Sequence, residues 1–500
     1  MDSLRLFQIG EKLIVGLNSG SLRIYRGIEA AQEHKVQHED LSPGHRPQSQ
    51  AGKPGELLRE QEKFSKYKIE QLALVREADI LLSLSNGHIH LHDLQDYKLQ
   101  ETLAKSKGAF TFAVTSDVSK DSTSGVSSIE TRLAVAVKRK LLVWTWTDGE
   151  LDTENKEQTL VTGIKSLTWA TPTRLIVGLN ANYVLVNIET ATVTNIVGPG
   201  SIGGAPGQDG GRLGATGVAG MSYLGMSAPK PLATRLGEGQ ALLARDINTH
   251  FIDLDANSLG RRQIPWAAAP DTVGYSHPYL LALQSSRGNL ELRNPRTLTT
   301  LQNISLPFAN QLHFPHQNAT PAHGGKGFLV ASERAIWQMQ PHNYDTQINQ
   351  LVEREALDEA ISLLDILQET WIKDKAGRMR DIKMQKAQML FDQKKYRESI
   401  DLFTEVNAPP QRVISLFPPF IAGDGSASAV EKPEKSSPLT MSPRLGKAHK
   451  DDSLDYDTAQ IAKMAQEASE HGSSEQSKKK GGGSEQRAPL GPFNVVNHGS

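Results

Sequence analysis

The chain has 500 residues, 55 Lys and Arg against 56 Asp and Glu for a formal net charge of −1, and no cysteine. With no basic excess to neutralise phosphates, nucleic acid is not expected as a partner. The lack of thiols excludes disulfides, Cys-ligated zinc, iron–sulfur clusters and thiol catalysis within this chain, and fits a reducing compartment. The opening stretch MDSLRLFQIGEKLIVGL is too polar for a signal peptide, and no apolar run approaches the roughly 20 residues that span a bilayer. The reading is a soluble cytosolic protein of about two to four domains, with any membrane association made through a partner.

The chain opens on strand-like residues at Leu4–Ile9, followed by a hairpin at Lys12–Tyr25. There an alternating run (Leu13, Val15, Leu17) meets the turn Asn18-Ser19-Gly20, and a second run (Leu22, Ile24) leaves it. Asn and Gly tolerate the positive φ of a tight turn, so this reads as two antiparallel strands. The pattern returns at Asp79–Leu94, Arg132–Trp146 and Thr173–Ile188, and more weakly at Leu242–Leu254, Tyr279–Leu292 and Gly327–Met339. Seven turns begin at Asn18, Asn86, Lys138, Asn180, Asp246, Ser286 and Ser332, at intervals of 68, 52, 42, 66, 40 and 46 residues. Taking Glu29–Glu56, Ser116–Ser127 and Gly198–Gly220 as insertions leaves intervals of 40, 40, 42, 43, 40 and 46. A period of roughly 40–45 residues is that of a four-stranded propeller blade, which cannot bury both faces alone and covers them by stacking radially. Ile69–Val75, Phe110–Val114 and Ile164–Trp169 supply further strands. Closure is expected from a strand at one terminus completing a blade begun at the other.

After Pro341 the apolar period lengthens from two to about 3.6. Asn343 or Asp345 caps a first helix carrying Ile348, Leu351 and Val352; others are expected near Ala356–Gln368, Asp374–Gln393 and Tyr396–Val406. Ala387, Tyr396, Ser399, Ile400 and Phe403 are spaced like the packing residues of a helical-hairpin repeat, and Pro409-Pro410 follows. About three repeats are needed for a stable solenoid, so two helix pairs read as an array cut short, the front portion of a longer protein. From about Asp424 the chain is rich in Ser, Gly, Lys and Glu; its scarce apolar residues cannot offset the entropy of ordering, although Leu454–Ala468 has the pattern of a transient helix. The fold class is an all-β seven-bladed propeller (residues 1–341), then the start of an α-solenoid (342–424), then a disordered low-complexity tail (425–500).

His88, His90 and His92 alternate and so point to one face of a strand, where two could chelate a metal; without a carboxylate or thiol cluster nearby they read as a solvated polar face. Gly198–Gly217 lacks the Lys-Ser/Thr and following helix of a phosphate loop and reads as an inter-strand insertion. His323–Gly327 (HGGKG) resembles an oxyanion-hole glycine run but has no GxSxG partner, so it reads as the start of a blade. Trp144, Trp146 and Trp169 read as blade packing. Ser437 and Ser442, each before a proline, could accept phosphate, and Lys478–Lys480 reads as a solvated charge run. No paired carboxylates, Ser/His/Asp set or metal spacing stands out: no catalytic, cofactor or metal residue is assigned, no cofactor is expected, and the binding residues are unknown.

LIVGLNSGSLRIYR (Leu13–Arg26) resembles the opening blade of the citron-homology (CNH) domain, and IKSLTWATPTRLIVGLNANYVLVNIETA (Ile164–Ala191) a later stretch of it. RVISLFPPFIAGD (Arg412–Asp424) resembles a motif that follows the first helical repeats in the vacuolar protein sorting-associated protein 39 family, the Vam-six-type subunit of the HOPS tethering complex. The resemblance covers about residues 4–424 and implies a non-enzymatic tethering subunit. Its partners would be a Rab-type small GTPase and other HOPS subunits, and it would sit in the cytoplasm, peripheral on vacuolar or late-endosomal membrane. Members of that family have long C-terminal solenoids and often a terminal zinc-binding element. The alternatives are a CNH-type regulator or exchange factor of a Rho- or Rag-type GTPase and, further off, a propeller enzyme with converging carboxylates in its channel.

Overall fold

Seven antiparallel sheets surround a central channel in the computed structural model, which describes residues 5–9, 12–26, 55–120, 127–196, 229–260, 262–314, 327–417 and 491–498. The innermost strands, in blade order, are Arg5–Ile9, Ile69–Val75, Ala109–Lys120, Ile164–Trp169, Leu232–Arg235, Thr272–Ser276 and Gln311–His313. Each lies beside the next, and the last lies beside the first, so the ring closes.

The seven expected hairpins are the second and third strands of the seven blades. Leu13 faces Tyr25 in blade 1, Leu175 faces Val186 in blade 4, and Leu281 faces Leu292 in blade 6. Their turns take the expected backbone: φ is 84° at Gly20, 50° at Asn86, 53° at Lys138 and 55° at Asp246. Four of the turns, in blades 1, 2, 3 and 6, also latch the link to the next blade. Ile69 N–H donates to Leu17 O (3.2 Å), Gly108 N–H to Gly87 O (2.8 Å), Ile164 N–H to Lys138 O (2.9 Å) and Leu306 N–H to Gly288 O (2.7 Å). At Gly20 a Cβ would lie 2.2 Å from Ser65 O, so the latch as well as the φ calls for glycine.

Second strands such as Ile80–Ser85 and Tyr279–Gln284 are buried along their whole length, because a neighbouring blade covers each face. The cores accordingly lie between blades. Ala134, Leu141 and Val143 of blade 3 pack with Leu175, Val177 and Val184 of blade 4, and Leu13 and Val15 of blade 1 pack with Leu329 and Ala331 of blade 7. Each fully buried leucine or valine contributes about 1.5–3 kcal/mol relative to exposure, so the last contact holds the ring shut.

Three expectations need correction. Ser116–Ser127 is not a separate insertion: strands 109–120 and 127–137 run on as one long ladder, Ser116 pairing with Thr131. Among the described residues blade 5 has three strands, with an isolated bridge between Ile252 and Ser258 at its outer edge. The tail is not without order at its far end, since Phe493–His498 is the fourth strand of blade 7, antiparallel to Ile336–Pro341. The polar composition upstream hid this short β-favouring run, and Phe493 anchors it. That ring is 3% exposed and meets Phe328 and Tyr279 edge-on at 5.2 and 5.6 Å. Gln302 accepts from Phe493 N–H and donates to its carbonyl, both at 3.0 Å. Residues 29–54, Gly198–Gly217, His323–Lys326, Ser437, Ser442, Leu454–Ala468 and Lys478–Lys480 lie outside the described residues.

Past Pro341 come helices α1 (Tyr344–Glu353), α2 (Leu357–Ile366), α3 (Lys375–Asp392) and α4 (Tyr396–Glu405). The Asn343 side chain accepts from Asp345 N–H (2.9 Å), and Asp374 caps α3 through Gly377 N–H (3.0 Å). Ser399 Oγ donates to Ala387 O at 2.7 Å, joining α4 to α3. Ala387, Ser399 and Phe403 are buried as expected of repeat packing residues, whereas Tyr396 and Ile400 are exposed. A second unit, Phe403–Pro489, is described only to Phe417 and holds the short helix α5 (Pro410–Ile414), started by Pro409-Pro410. Among the described residues no helix is long and apolar enough to cross a membrane.

Candidate functional site

The central channel is the concavity common to all blades, an open space of about 900 Å³. The inner strands present residues to it, and several of the polar ones are occupied in joining neighbouring blades. Gln71 Nε2 donates to Phe112 O (2.7 Å) while its Oε1 accepts from Phe112 N–H (3.1 Å), so one amide side chain imitates a strand pairing across two blades. Trp169 Nε1 donates to Ala113 O (3.0 Å), and Thr168 Oγ1 donates to Ala233 O (3.2 Å). These bonds satisfy backbone groups that the diverging blades leave open.

The same device recurs away from the channel. The Arg245 guanidinium donates to Asn180 O (2.6 Å) and Leu179 O (2.8 Å), and Tyr183 Oη donates to Ala244 O (2.7 Å). Burial pushes the Tyr183 phenol up to about 12, so it remains a donor. Sequence spacing could not reveal these staples, because each joins residues some 40–65 positions apart.

Catalysis in a propeller channel would need ionisable groups from several blades to converge. The channel's described carboxylates, Glu70 and Asp271, stand in different blades. Glu70 pairs with Lys68 (3.5 Å), and Asp271 accepts from Ser285 N–H (2.7 Å). Tyr275 Oη and His277 Nδ1 share a hydrogen bond of 3.0 Å, and burial raises the phenol and lowers the imidazole. Both groups are thereby held neutral, as a tyrosine–histidine contact inside a blade.

His88, His90 and His92 do share one face and line a groove with Phe64, Tyr67 and Tyr97. Their partners are separate. His88 Nδ1 bonds Asn86 O, His90 Nδ1 bonds Thr102 Oγ1, and His92 Nε2 bonds Ser83 Oγ, at 2.9, 2.9 and 3.0 Å. The face is less solvated than its alternation suggests, since His92 is 2% exposed and stacks on Phe64 at 4.0 Å. Among the described residues there is no group of three His, Cys, Asp or Glu arranged to hold a metal ion. Trp144 and Trp146 are buried within blade 3, while Trp169 is half-buried on the channel wall.

The site is therefore a set of surfaces: a closed wheel with stapled blades, carrying helices beside blades 6 and 7. The CNH domain family matches residues 58–313, just over half of the chain, and the chain belongs to that family. Over 83% of its length it is similar to Vam6/Vps39 proteins, being 26% identical to the human Vam6/Vps39-like protein and 22% identical to fission-yeast vacuolar morphogenesis protein 6. Vacuolar sorting protein 39 of Arabidopsis thaliana is 24% identical over 82% of the chain. The chain spans 41%, 40% and 35% of the lengths of those three relatives. The solved AfRom2 CNH domain is a distant likeness, 16% identical with a TM-score of 0.38, covering 68% of this chain and 91% of its own.

Proposed function

We propose that the chain is a non-enzymatic subunit of a vacuolar or late-endosomal membrane-tethering complex. In this reading it binds a Rab-type GTPase and other tether subunits and promotes docking in vesicle traffic. The observation that carries it is that the similarity to Vam6/Vps39 proteins covers 83% of the chain, more than the CNH propeller alone. The architecture supports a docking role. A rigid ring offers faces and edges whose affinity comes from buried area and a few anchors, and the helices begin a solenoid through which other subunits attach.

The test is capture of the whole chain on an immobilised late-endosomal Rab GTPase loaded with GTP or GDP. Preferential capture on the GTP form is expected. Equal failure in both states overturns the GTPase contact, and accelerated nucleotide release from a Rho- or Rag-type GTPase would replace tethering by exchange.

A further inference from the structure

In an antiparallel blade, the turn from second to third strand and the link to the next blade leave from the same end. These segments of all blades therefore share one face of the ring. On that face Lys63, Lys66, Lys107, Lys138, Lys165 and Lys230 are exposed. Neighbouring Lys68 and Lys140 are taken up by Glu70 and Glu157, whereas none of the six forms an ion pair with a described residue. From blade 1 to the link into blade 5, the only carboxylate in the described turns and links is Glu62. The opposite face carries Glu77, Asp79, Asp96, Asp148, Glu189 and Asp255. Around blades 1 to 4 the two faces of this chain of net charge −1 are thus oppositely biased, although Asp96 and Asp255 pair with Lys98 and Arg174 and blades 5 to 7 place Asp246, Asp271 and Glu333 on the lysine face. Lys138, Lys165 and Lys230 border one open cavity together with Phe110.

A second, independent observation falls on the same face. The two most exposed large apolar side chains among the described residues are Val161 (88%) and Phe308 (83%). Val161 stands in the link from blade 3 to blade 4 and Phe308 in the link from blade 6 to blade 7. Tyr67, Phe110 and Ile247 are exposed on this face as well. Both side chains stand singly at loop tips in contact with water; Val118 (60%) and Ile129 (42%) are likewise exposed at the opposite end of blade 3.

We propose that this face docks directly on an anionic phospholipid bilayer, the lysines meeting headgroup phosphates and the apolar tips entering the interfacial layer. The tips are spread over separate links around the rim. A protein partner would call for one clustered anchor site, whereas a compliant bilayer accepts scattered tips on a common plane. Helices α1 and α2 pack on the acidic face, where α2 reaches Asn294 and Arg296. A ring lying on a membrane would therefore leave them clear. This goes beyond the tethering role, in which membrane association passes through a partner.

The test is flotation of the full chain with phosphatidylcholine vesicles, with and without about 30 mol% phosphatidylserine. No GTPase is present, so failure here is separable from failure of the tethering role. Binding to the anionic vesicles only is expected, falling at least about tenfold on raising salt from about 0.1 to 0.5 M. The triple variant Lys107→Glu, Lys138→Glu, Lys165→Glu should lose at least about tenfold in binding with its circular dichroism unchanged. Val161→Trp should shift its emission to the blue on anionic vesicles and be quenched by brominated lipid. No binding at about 0.1 M salt, equal binding to neutral vesicles, or an unaffected triple variant overturns the proposal. Capture on polyglutamate without vesicle binding overturns it in favour of an acidic protein.

Discussion

Burial of His92 against Phe64, and then the neighbouring His90, hold its imidazole down to about 4. In the unfolded chain it returns to the ordinary 6.5. The unfolded state therefore binds the extra proton, and the contribution to stability, complete above about pH 6.5, is lost as pH falls toward 4. For this one group the loss between pH 7.5 and pH 5 is about 2 kcal/mol. Urea unfolding at the two pH values should show it, and His92→Gln should remove most of the difference. A second buried network lies in blade 6, where Arg293 pairs with Glu291 at 2.5 Å with side chains only 5% and 3% exposed. Arg293 also donates to Pro265 O (2.8 Å), and Glu291 accepts from Thr300 Oγ1 (2.9 Å). Arg293→Met would strand the carboxylate in the core and should cost about 3–5 kcal/mol, while Arg293→Met with Glu291→Leu should cost less than the single change. Denaturant midpoints of the three proteins decide it. The shared face of the three histidines was legible from their alternation. The burial of His92 was not, because Phe64 comes from the link between blades 1 and 2.

The strand Phe493–His498 follows blade 7 by some 150 residues of chain, yet it is placed by one aromatic anchor and one glutamine. Phe493→Ala removes the ring packed on Phe328 and Tyr279 and should destabilise this edge by about 3 kcal/mol. Hydrogen exchange should then quicken in Ile336–Pro341 and leave blades 2 to 4 unchanged, since their cores share no residue with this one. Exchange unchanged in Ile336–Pro341 would mean that the strand adds nothing to the blade. The contrast with the hairpins explains what sequence could supply. Lys12–Tyr25 and Thr173–Ile188 announce themselves because turn chemistry and alternation are local, and their repeat at a blade-sized interval carries the ring. Asn343 was readable as one of two candidate caps, the other being Asp345, whereas the capping role of Asp374 was not read from the sequence. The closing strand depends on which distant edge is vacant, and the polarity of the two faces depends on which loop ends the ring gathers. Both are properties of topology, and no window of residues contains them.

At the scale of the molecule, blades 6 and 7 and the first helices share a core. Leu281, Leu292, Phe328 and Trp337 belong to the same buried cluster as Ile348, Leu357, Leu364 and Ile382. Trp371 joins the two parts, lying parallel to Tyr344 at 5.6 Å and edge-on to His277 at 5.7 Å. Polar contacts flank it: Asn294 Nδ2 donates to Glu359 Oε2 (2.9 Å), and Arg296 pairs with Asp365. With apolar packing and a polar rim together, α1 and α2 should move with the propeller as one body instead of swinging from a hinge at Pro341. Trp371→Ala takes the shared ring out of that seam and should weaken it by about 2 kcal/mol, which corresponds to roughly thirtyfold faster exchange in segments that open locally. The faster exchange should be confined to Tyr344–Glu353, Leu357–Ile366 and the strand ending at Ser276. Blades 2 to 4 should keep wild-type protection, since their cores are separate. Fast exchange of α1 and α2 already in the wild-type chain would show that the helices hang free, and a tether that relies on a fixed angle between ring and arm could not be built on this seam.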